Sequence, residues 1–594
     1  LEHHQNKKTN VQRSSVFFRE PDQMTPSLQT LIEVARGDRP ADRVLSGGRI
    51  VDVFTRQVIE GDIALVGDTI AGIGRYAGED RVDLGGRFVA PGFIDAHVHI
   101  ESALVCPPAF ARAVAPCGTT QVVADPHEIA NVMGLQGIEY MLDAAAGQPI
   151  RIGYALPSCV PASEMETAGA RLEARDLLPL LGRENVLALG EVMNFPGVVG
   201  ADPAVLKKIE QTRAVGKRVD GHAPSLSGRR LQAYLAAGIG TDHECTTVEE
   251  AAEKLRFGMH VLVREGTGAK NLEDLLPLID ERTCRRMMWC SDDRHPRDLI
   301  DEGHIDGIVR KAIALGLDPL TAIQMATLNP AEFYGLEGSG AIAPGRRADL
   351  VVFSDLSRPQ MEAVYCRGKI VAEEGRLCPG LTAPGPAAPP QVMSVDSSAI
   401  DFKIPAAGER IRVIALIAGQ ILTGSETARA RIVDGRAEAD PKRDLLKLAV
   451  VERYTGQGNT GLGFVRGFGL RAGAMASSVS HDSHNLIGVG TNDEDMKAAI
   501  SAVVQMGGGM AVAAGGRVRE SLGLPVAGLM SEQPLPEIRR RLDAVTRAAH
   551  DLGATPADPF MILSFLALPV IPALKLTDRG LIDVEAFRPV PLFV

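Results

Sequence analysis

V-A-P-G-F-I-D-A-H-V-H-I-E-S, residues Val89–Ser102, is the stretch from which the architecture is read. Pro91-Gly92 turns the chain into a short strand in which side chains alternate between two faces. Asp95, His97, His99 and Glu101 fall on one face, and Ile94, Ala96, Val98 and Ile100 on the other. Two imidazoles at i and i+2 on a strand face can grip one metal ion, where a helix would need i and i+4. The apolar face is expected to meet covering helices. An H-x-H alone fits equally well a half-buried strand with two ordinary histidines, so the rest of the chain decides.

Downstream the pattern is strand then helix, repeated. Eight apolar strand candidates each end in a polar residue or a turn: Ile94–His99, Gln121–Asp125, Arg151–Leu156, Val186–Glu191, Arg218–His222, Ile239–His243, His260–Arg264 and Met287–Asp292. Amphipathic stretches such as Leu226–Ala237 and Val248–Phe257 lie between them. This is the profile of a (β/α)₈ barrel over residues 91–344, whose sites lie at the carboxyl ends of the strands. A doubly wound open sheet competes, but no G-x-G-x-x-G follows the first strand.

On either side, glycine-broken strands (R-V-L-S-G-G-R-I-V-D-V, D-I-A-L-V-G-D-T-I-A-G-I-G, then A-D-L-V-V-F-S-D and A-V-Y-C-R-G-K-I-V) predict one small β-domain built from residues 26–90 and 345–381. Hairpin turns are expected at Gly47-Gly48 and Gly67-Asp68. Residues 1–25 read as a flexible tail and 382–391 as a proline- and alanine-rich linker. Residues 392–594 read as a β-rich α+β domain covering the site.

Composition removes other classes. Over 594 residues the formal charge is −11 and aromatic content 4%, which disfavours nucleic-acid binding. Eight cysteines without a C-x-x-C leave histidine and carboxylate as the expected metal ligands. No apolar run is long enough to span a bilayer and none opens the chain as a signal peptide, so no membrane partner and a cytoplasmic location are expected.

Strand ends carry the chemistry: His97 and His99 on the first, Glu191 on the fourth, His222 on the fifth, His243 on the sixth, Asp292 on the eighth. Taken singly, each has an ordinary structural use as a capping carboxylate or a core histidine. Together, at one end of the strands, they predict a metal site of histidine and carboxylate suited to zinc, manganese or iron(II).

The order of these residues resembles the amidohydrolase superfamily, with Glu191 where many members carry a carboxylated lysine. More closely, A-D-P-H-E-I-A-N-V (Ala124–Val132), G-E-V-M-N (Gly190–Asn194), D-G-H-A-P, T-D-H-E, C-S-D-D-R and S-H-D-S-H-N (Ser480–Asn485) resemble the bacterial adenine deaminase family. The resemblance implies two divalent ions, manganese or iron(II) before zinc. His97, His99, Glu191 and Asp292 would hold one; His222 and His243 would hold the other, with Glu191 shared. It implies hydrolysis of adenine to hypoxanthine and ammonia in purine salvage, by a metal-bridged hydroxide attacking C6. Asp292 would carry the proton to the leaving amine, and Glu101 is the expected donor to ring N1. His127, Glu128, His481, Asp482, His484 and Asn485 are expected to bind the base, and a homodimer is expected. The rival reading is another amidohydrolase reaction, on a cyclic amide or N-acyl group. A scaffold that has lost its chemistry should lack ligands, and none of the six is missing.

Overall fold

The computed structural model describes residues 26–381, 383–417, 420 and 422–594; the expected tail at 1–25 lies outside them. Strands β1 (Ala41–Asp52), β2 (Gln57–Val66), β3 (Thr69–Gly74), β4 (Gly78–Asp83) and β5 (Phe88–Pro91) come from before the strand–helix repeats. They share one nine-stranded sheet with strands from after the repeats, beginning at Leu350–Phe353, which pairs antiparallel with β5. The turn at Gly67-Asp68 joins β2 to β3, with Val66 opposite Thr69. Gly47-Gly48 is not a turn, contrary to the sequence reading. β1 runs through it with a register shift between Leu45 and Gly48. A Cβ at Gly48 would lie 2.7 Å from Leu84 Cδ1, so glycine here permits a bulge and close packing.

The repeats supply parallel strands β6 (Phe93–Val98), β7 (Thr119–Ala124), β8 (Arg151–Leu156), β9 (Val186–Val192) and β10 (Arg218–Gly221) in one sheet. A second sheet holds β11 (Thr241–Asp242), β12 (His260–Arg264) and β13 (Met287–Cys290). At one seam the Asp292 N–H donates to His97 O at 3.0 Å; at the other the Gly240 N–H donates to Val219 O at 2.9 Å.

The alternation expected along β6 does not hold, because its register against β7 shifts between Asp95 and Val98. Ile94 and Ala96 pack with Val123, Ala155, Ala188, Leu262 and Met288 of the other strands and with Phe333 and Tyr334 of the helix Leu328–Tyr334. Asp95 points elsewhere. It accepts the Ser291 N–H at 3.1 Å and Ser291 Oγ–H at 2.5 Å, and its Oδ2 lies 2.9 Å from His304 Nε2. Asp95 therefore ties the first strand to the residue after the last, directly beneath the strand-end residues.

Further along the chain, strands from Arg410–Leu416 to Val518–Gly523 form an eight-stranded, largely antiparallel sheet. Helix Asp493–Gln505 lies on it, started by Asn492 accepting the Asp495 N–H and by three acidic residues in its first turn. One hydrophobic core runs continuously from Phe110 and Ile129 to Met530, Leu535 and Phe560. Backbone bonds from Cys106 N–H to Ser531 O and from Ser531 N–H to Leu104 O, 3.0 Å each, join the two regions. Among the described residues, no helix is long and apolar enough to cross a membrane.

Candidate metal centre and cavity

At the carboxyl ends of the eight strands, His97, His99, Glu191, His222, His243 and Asp292 converge, all but half-buried His222 fully buried. Local sequence explains the convergence. Gly190 lacks a side chain because a Cβ there would sit 2.0 Å from Asp125 Oδ2. That vacancy lets Asp125 accept the Glu191 N–H at 3.0 Å and hold the strand end in place.

Glu191 stands between two histidine pairs. Its Oε1 is 3.4 Å from His99 Nε2, and its Oε2 is 2.8 Å from His222 Nδ1 and 3.1 Å from His243 Nε2. Asp292 Oδ1 lies 3.2 Å from His99 Nε2 and 3.5 Å from His97 Nε2. The His97 and His99 Nε2 atoms are 3.1 Å apart, and His222 Nδ1 and His243 Nε2 are 3.3 Å apart.

Imidazole nitrogens that close share either a proton or a cation. His99 Nδ1 faces the Asp125 carbonyl at 3.0 Å, and a carbonyl only accepts. A proton therefore sits on Nδ1, and the ring turns Nε2 into the cluster, the orientation of a ligating histidine. Burial would lower the His99 pKa, but Asp292, Asp293 and Glu191 outweigh it and raise it well above the ordinary value, so a cation held here would take the place of the Nε2 proton. His97, buried and beside His243, is pushed down to about 4. Burial opposes ionisation of Glu191 and Asp292, yet the histidines around Glu191, and Arg264 with His97 and His99 around Asp292, keep both carboxyls well below the usual range. A neutral histidine beside carboxylates that stay charged when buried is a donor set for divalent cations. The triads His97–His99–Glu191, His97–His243–Asp292 and Glu191–His222–His243 each bring their ligand atoms within 4.8 Å of one another.

The cluster opens into a partly enclosed cavity. His127 and Glu128, which begin the helix His127–Met133, line it, as do His481 and Asp482. His127 Nδ1 is 3.3 Å from Glu191 Oε1. His481 Nδ1 is 2.7 Å from Glu128 Oε1, and His484 Nε2 bonds the other Glu128 oxygen. Asp482 Oδ2 is buried with no hydrogen-bond partner among the described residues.

Three residues sit elsewhere than the sequence reading put them. The first strand stops at Val98 and Ile100–Ala103 tightens into a 3₁₀ turn, so Glu101 does not continue the ligand face. It accepts the Ile129 N–H at 3.3 Å behind the cavity wall, and burial lifts its pKa to about 7. His484 and Asn485 are also behind the wall. Asn485 donates to Thr167 O at 2.8 Å and accepts the Arg453 N–H at 3.3 Å, which joins chain segments rather than facing a ligand.

Other residues belong to the site that the sequence reading passed over. Arg264, the last residue of β12, donates to Asp292 Oδ2 at 2.7 Å and grips both oxygens of Glu244. Glu244 Oε1 lies 3.3 Å from His243 Nε2. The strand-end rule that found the other residues marks Arg264 too. Met561, Phe565, Leu568 and Ile571 complete the cavity wall and carry no polar signal.

A family profile described as Amidohydrolase family matches residues 88–371, and one described as Adenine deaminase C-terminal domain matches residues 420–588. The chain is 54% identical over 563 residues to an adenine deaminase of Desulfatibacillum aliphaticivorans, covering 95% of this chain and 99% of that one. It is 47% identical over 569 residues to an adenine deaminase of Cereibacter sphaeroides, covering 96% and 100%. A solved enamidase, described as a new member of the amidohydrolase superfamily, superposes with TM-score 0.44 at 18% identity, over 56% of this chain and 96% of that one.

Proposed function

This chain belongs to the adenine deaminase family, and we propose that it hydrolyses free adenine to hypoxanthine and ammonia at a two-cation centre in the mouth of a closed (β/α)₈ barrel. The observation that carries this reading is the position of Glu191, one oxygen toward His99 and the other toward His222 and His243. His97, His99, Glu191 and Asp292 would hold one cation and Glu191, His222 and His243 the second, manganese or iron(II) before zinc. When bound, such cations supply the charge that makes water a nucleophile near neutral pH.

The chain's own groups handle the protons. Over the reaction the water oxygen gives up two protons, one on attack at C6 and one as the C6 carbonyl forms, and two are taken up, at ring N1 and at the departing nitrogen. Asp292 Oδ1 faces the cluster while Arg264 holds Oδ2, so Oδ1 takes the water proton and returns it to the leaving amine. With Glu101 behind the wall, the N1 proton comes from His481. Burial would lower the pKa of that imidazole, but the Glu128 carboxylate lifts it to about 9, so it is charged at neutral pH. Asp482 Oδ2, buried and unpartnered among the described residues, accepts an N–H of the base. The second water proton, lost as the C6 carbonyl forms, restores the one His481 gave to N1, and release of ammonia fits a place in purine salvage.

The test is ammonia release from adenine, adenosine and a cyclic amide, using metal-loaded and chelator-stripped protein. Turnover of adenine alone, lost with the metal, supports the reading. Turnover of the amide alone replaces it with the rival amidohydrolase reaction.

A further inference from the structure

Two unlike sets of residues line the cavity. Charged groups from the strand ends make one; Met561, Phe565, Leu568 and Ile571 make an apolar set. These four side chains, with Val570, pack chiefly on each other in a small cluster separate from the main core. Residues that merely filled a core would merge with it, and instead they form a self-contained slab facing the ligand space.

The slab is fixed at several points. Asp558 starts its helix, Pro559–Ser564, by accepting the Met561 N–H at 3.0 Å. The other Asp558 oxygen lies 3.0 Å from Nδ1 of His295, just after the last strand. Ser564 O accepts the His481 N–H and Phe565 O accepts from Lys575 Nζ, both at 3.0 Å. The Phe565 ring stacks on His481 with centroids 4.4 Å apart and planes 9° from parallel. A wall tied to the strand ends, to His481 and to a buried lysine keeps its position when a ligand presses on it.

We infer that this wall, Met561, Phe565, Leu568 and Ile571, sets substrate size by admitting an unsubstituted planar base and rejecting purines that carry a group on N9. The inference rests on the adenine reading. With C6 turned toward the strand-end cluster, N9 lies across the bicyclic ring from it, toward the side of the cavity that these residues close. A ribose there would meet packed hydrocarbon and leave its hydroxyls without partners. Exclusion of nucleosides is thus assigned to apolar residues of the C-terminal region, and not to the charged groups of the Ser480–Asn485 motif.

The experiment compares adenine with 9-methyladenine, which adds bulk but no hydroxyl, on full-length metal-loaded wild type, Leu568→Ala, Ile571→Ala and the double variant. The expected result is a kcat/KM ratio, 9-methyladenine over adenine, that rises about tenfold or more in the double variant, with adenine kcat falling less than its KM rises. An unchanged ratio in variants that still turn over adenine overturns the inference and leaves the function intact. Wild type inactive on adenine overturns the function itself. Leu568→Val and Ile571→Val, which keep branched side chains, carry the same comparison if the alanine variants do not fold. Leu568→Phe, which narrows the cavity, should raise KM for adenine, and an unaltered KM would likewise count against the wall.

Discussion

Two buried clusters of histidine and carboxylate border this cavity, and one imidazole in each uses its Nδ1 in the opposite sense, as donor in the first and acceptor in the second. In the strand-end cluster, His99 donates its Nδ1–H to the Asp125 carbonyl and turns Nε2 toward its neighbours. In the second cluster, His484 Nδ1 accepts the Ser480 N–H at 3.1 Å, so its proton sits on Nε2 and is donated to Glu128. Burial lowers His484 to about 4 and keeps it neutral, a donor with no lone pair toward the cluster. Glu128, His481 and His484 also bring their ligand atoms within 4.8 Å, so proximity does not separate the two clusters. Tautomer does: the strand-end group fits a metal centre, and Glu128 with its two histidines is a hydrogen-bonded latch between helix His127–Met133 and the C-terminal region.

The largest effect should come from Glu191→Gln, which removes the charge facing both histidine pairs. Loss of about three orders of magnitude or more in kcat/KM for adenine is expected, with a matching fall in bound metal measured by plasma mass spectrometry. Full metal content in that variant would break the assignment of the strand-end cluster. Glu128→Gln should lower kcat roughly a hundredfold while bound metal stays at the wild-type level. Loss of a metal equivalent there would make the latch a metal site and erase the contrast. Arg264→Met frees Asp292 Oδ2 and should weaken metal affinity about 10–100-fold, with partial recovery in Arg264→Lys; equal affinity in all three proteins would deny Arg264 a positioning role.

A smaller effect concerns the pairing of Asp558 with His295. Burial opposes both charges, but each partner overcomes it: Asp558 raises the His295 pKa above 6.5, and His295 lowers that of Asp558 below 3.8. The histidine's contribution to stability is full below pH 6.5 and fades as pH rises through its folded value. The carboxylate's is full above pH 3.8 and fades as pH falls through its own. Asp558→Asn should therefore lower Tm most between about pH 4 and 6.5, by roughly 1–2 °C, with the gap closing as pH rises through the folded value of His295. A gap that widens with pH would reverse the assigned charges.

What could be read from the amino-acid order depended on the kind of signal. His97, His99, Glu191, His222, His243 and Asp292 come together because ligand-type residues at strand ends stand out against apolar strands. The faces of the first strand were misread because one register shift between Asp95 and Val98 is invisible to a period-two pattern. For the same reason Glu101, past the strand's end, was placed on a face that no longer exists. Arg264 follows the rule that found the acids, but a cation there reads as a partner only once Asp292 and Glu244 are seen around it. Met561, Phe565, Leu568 and Ile571 look like ordinary core residues in any linear reading. Nor can sequence say which nitrogen of His484 holds the proton, since a backbone N–H from Ser480 decides it.

The most direct measurement is titration of chelator-stripped protein with Mn(II) while following ammonia release from adenine. The account predicts no turnover without metal and activity that reaches its plateau at two equivalents per chain. A plateau at one or at three equivalents, or turnover by the stripped protein, would contradict a pair of cations sharing Glu191.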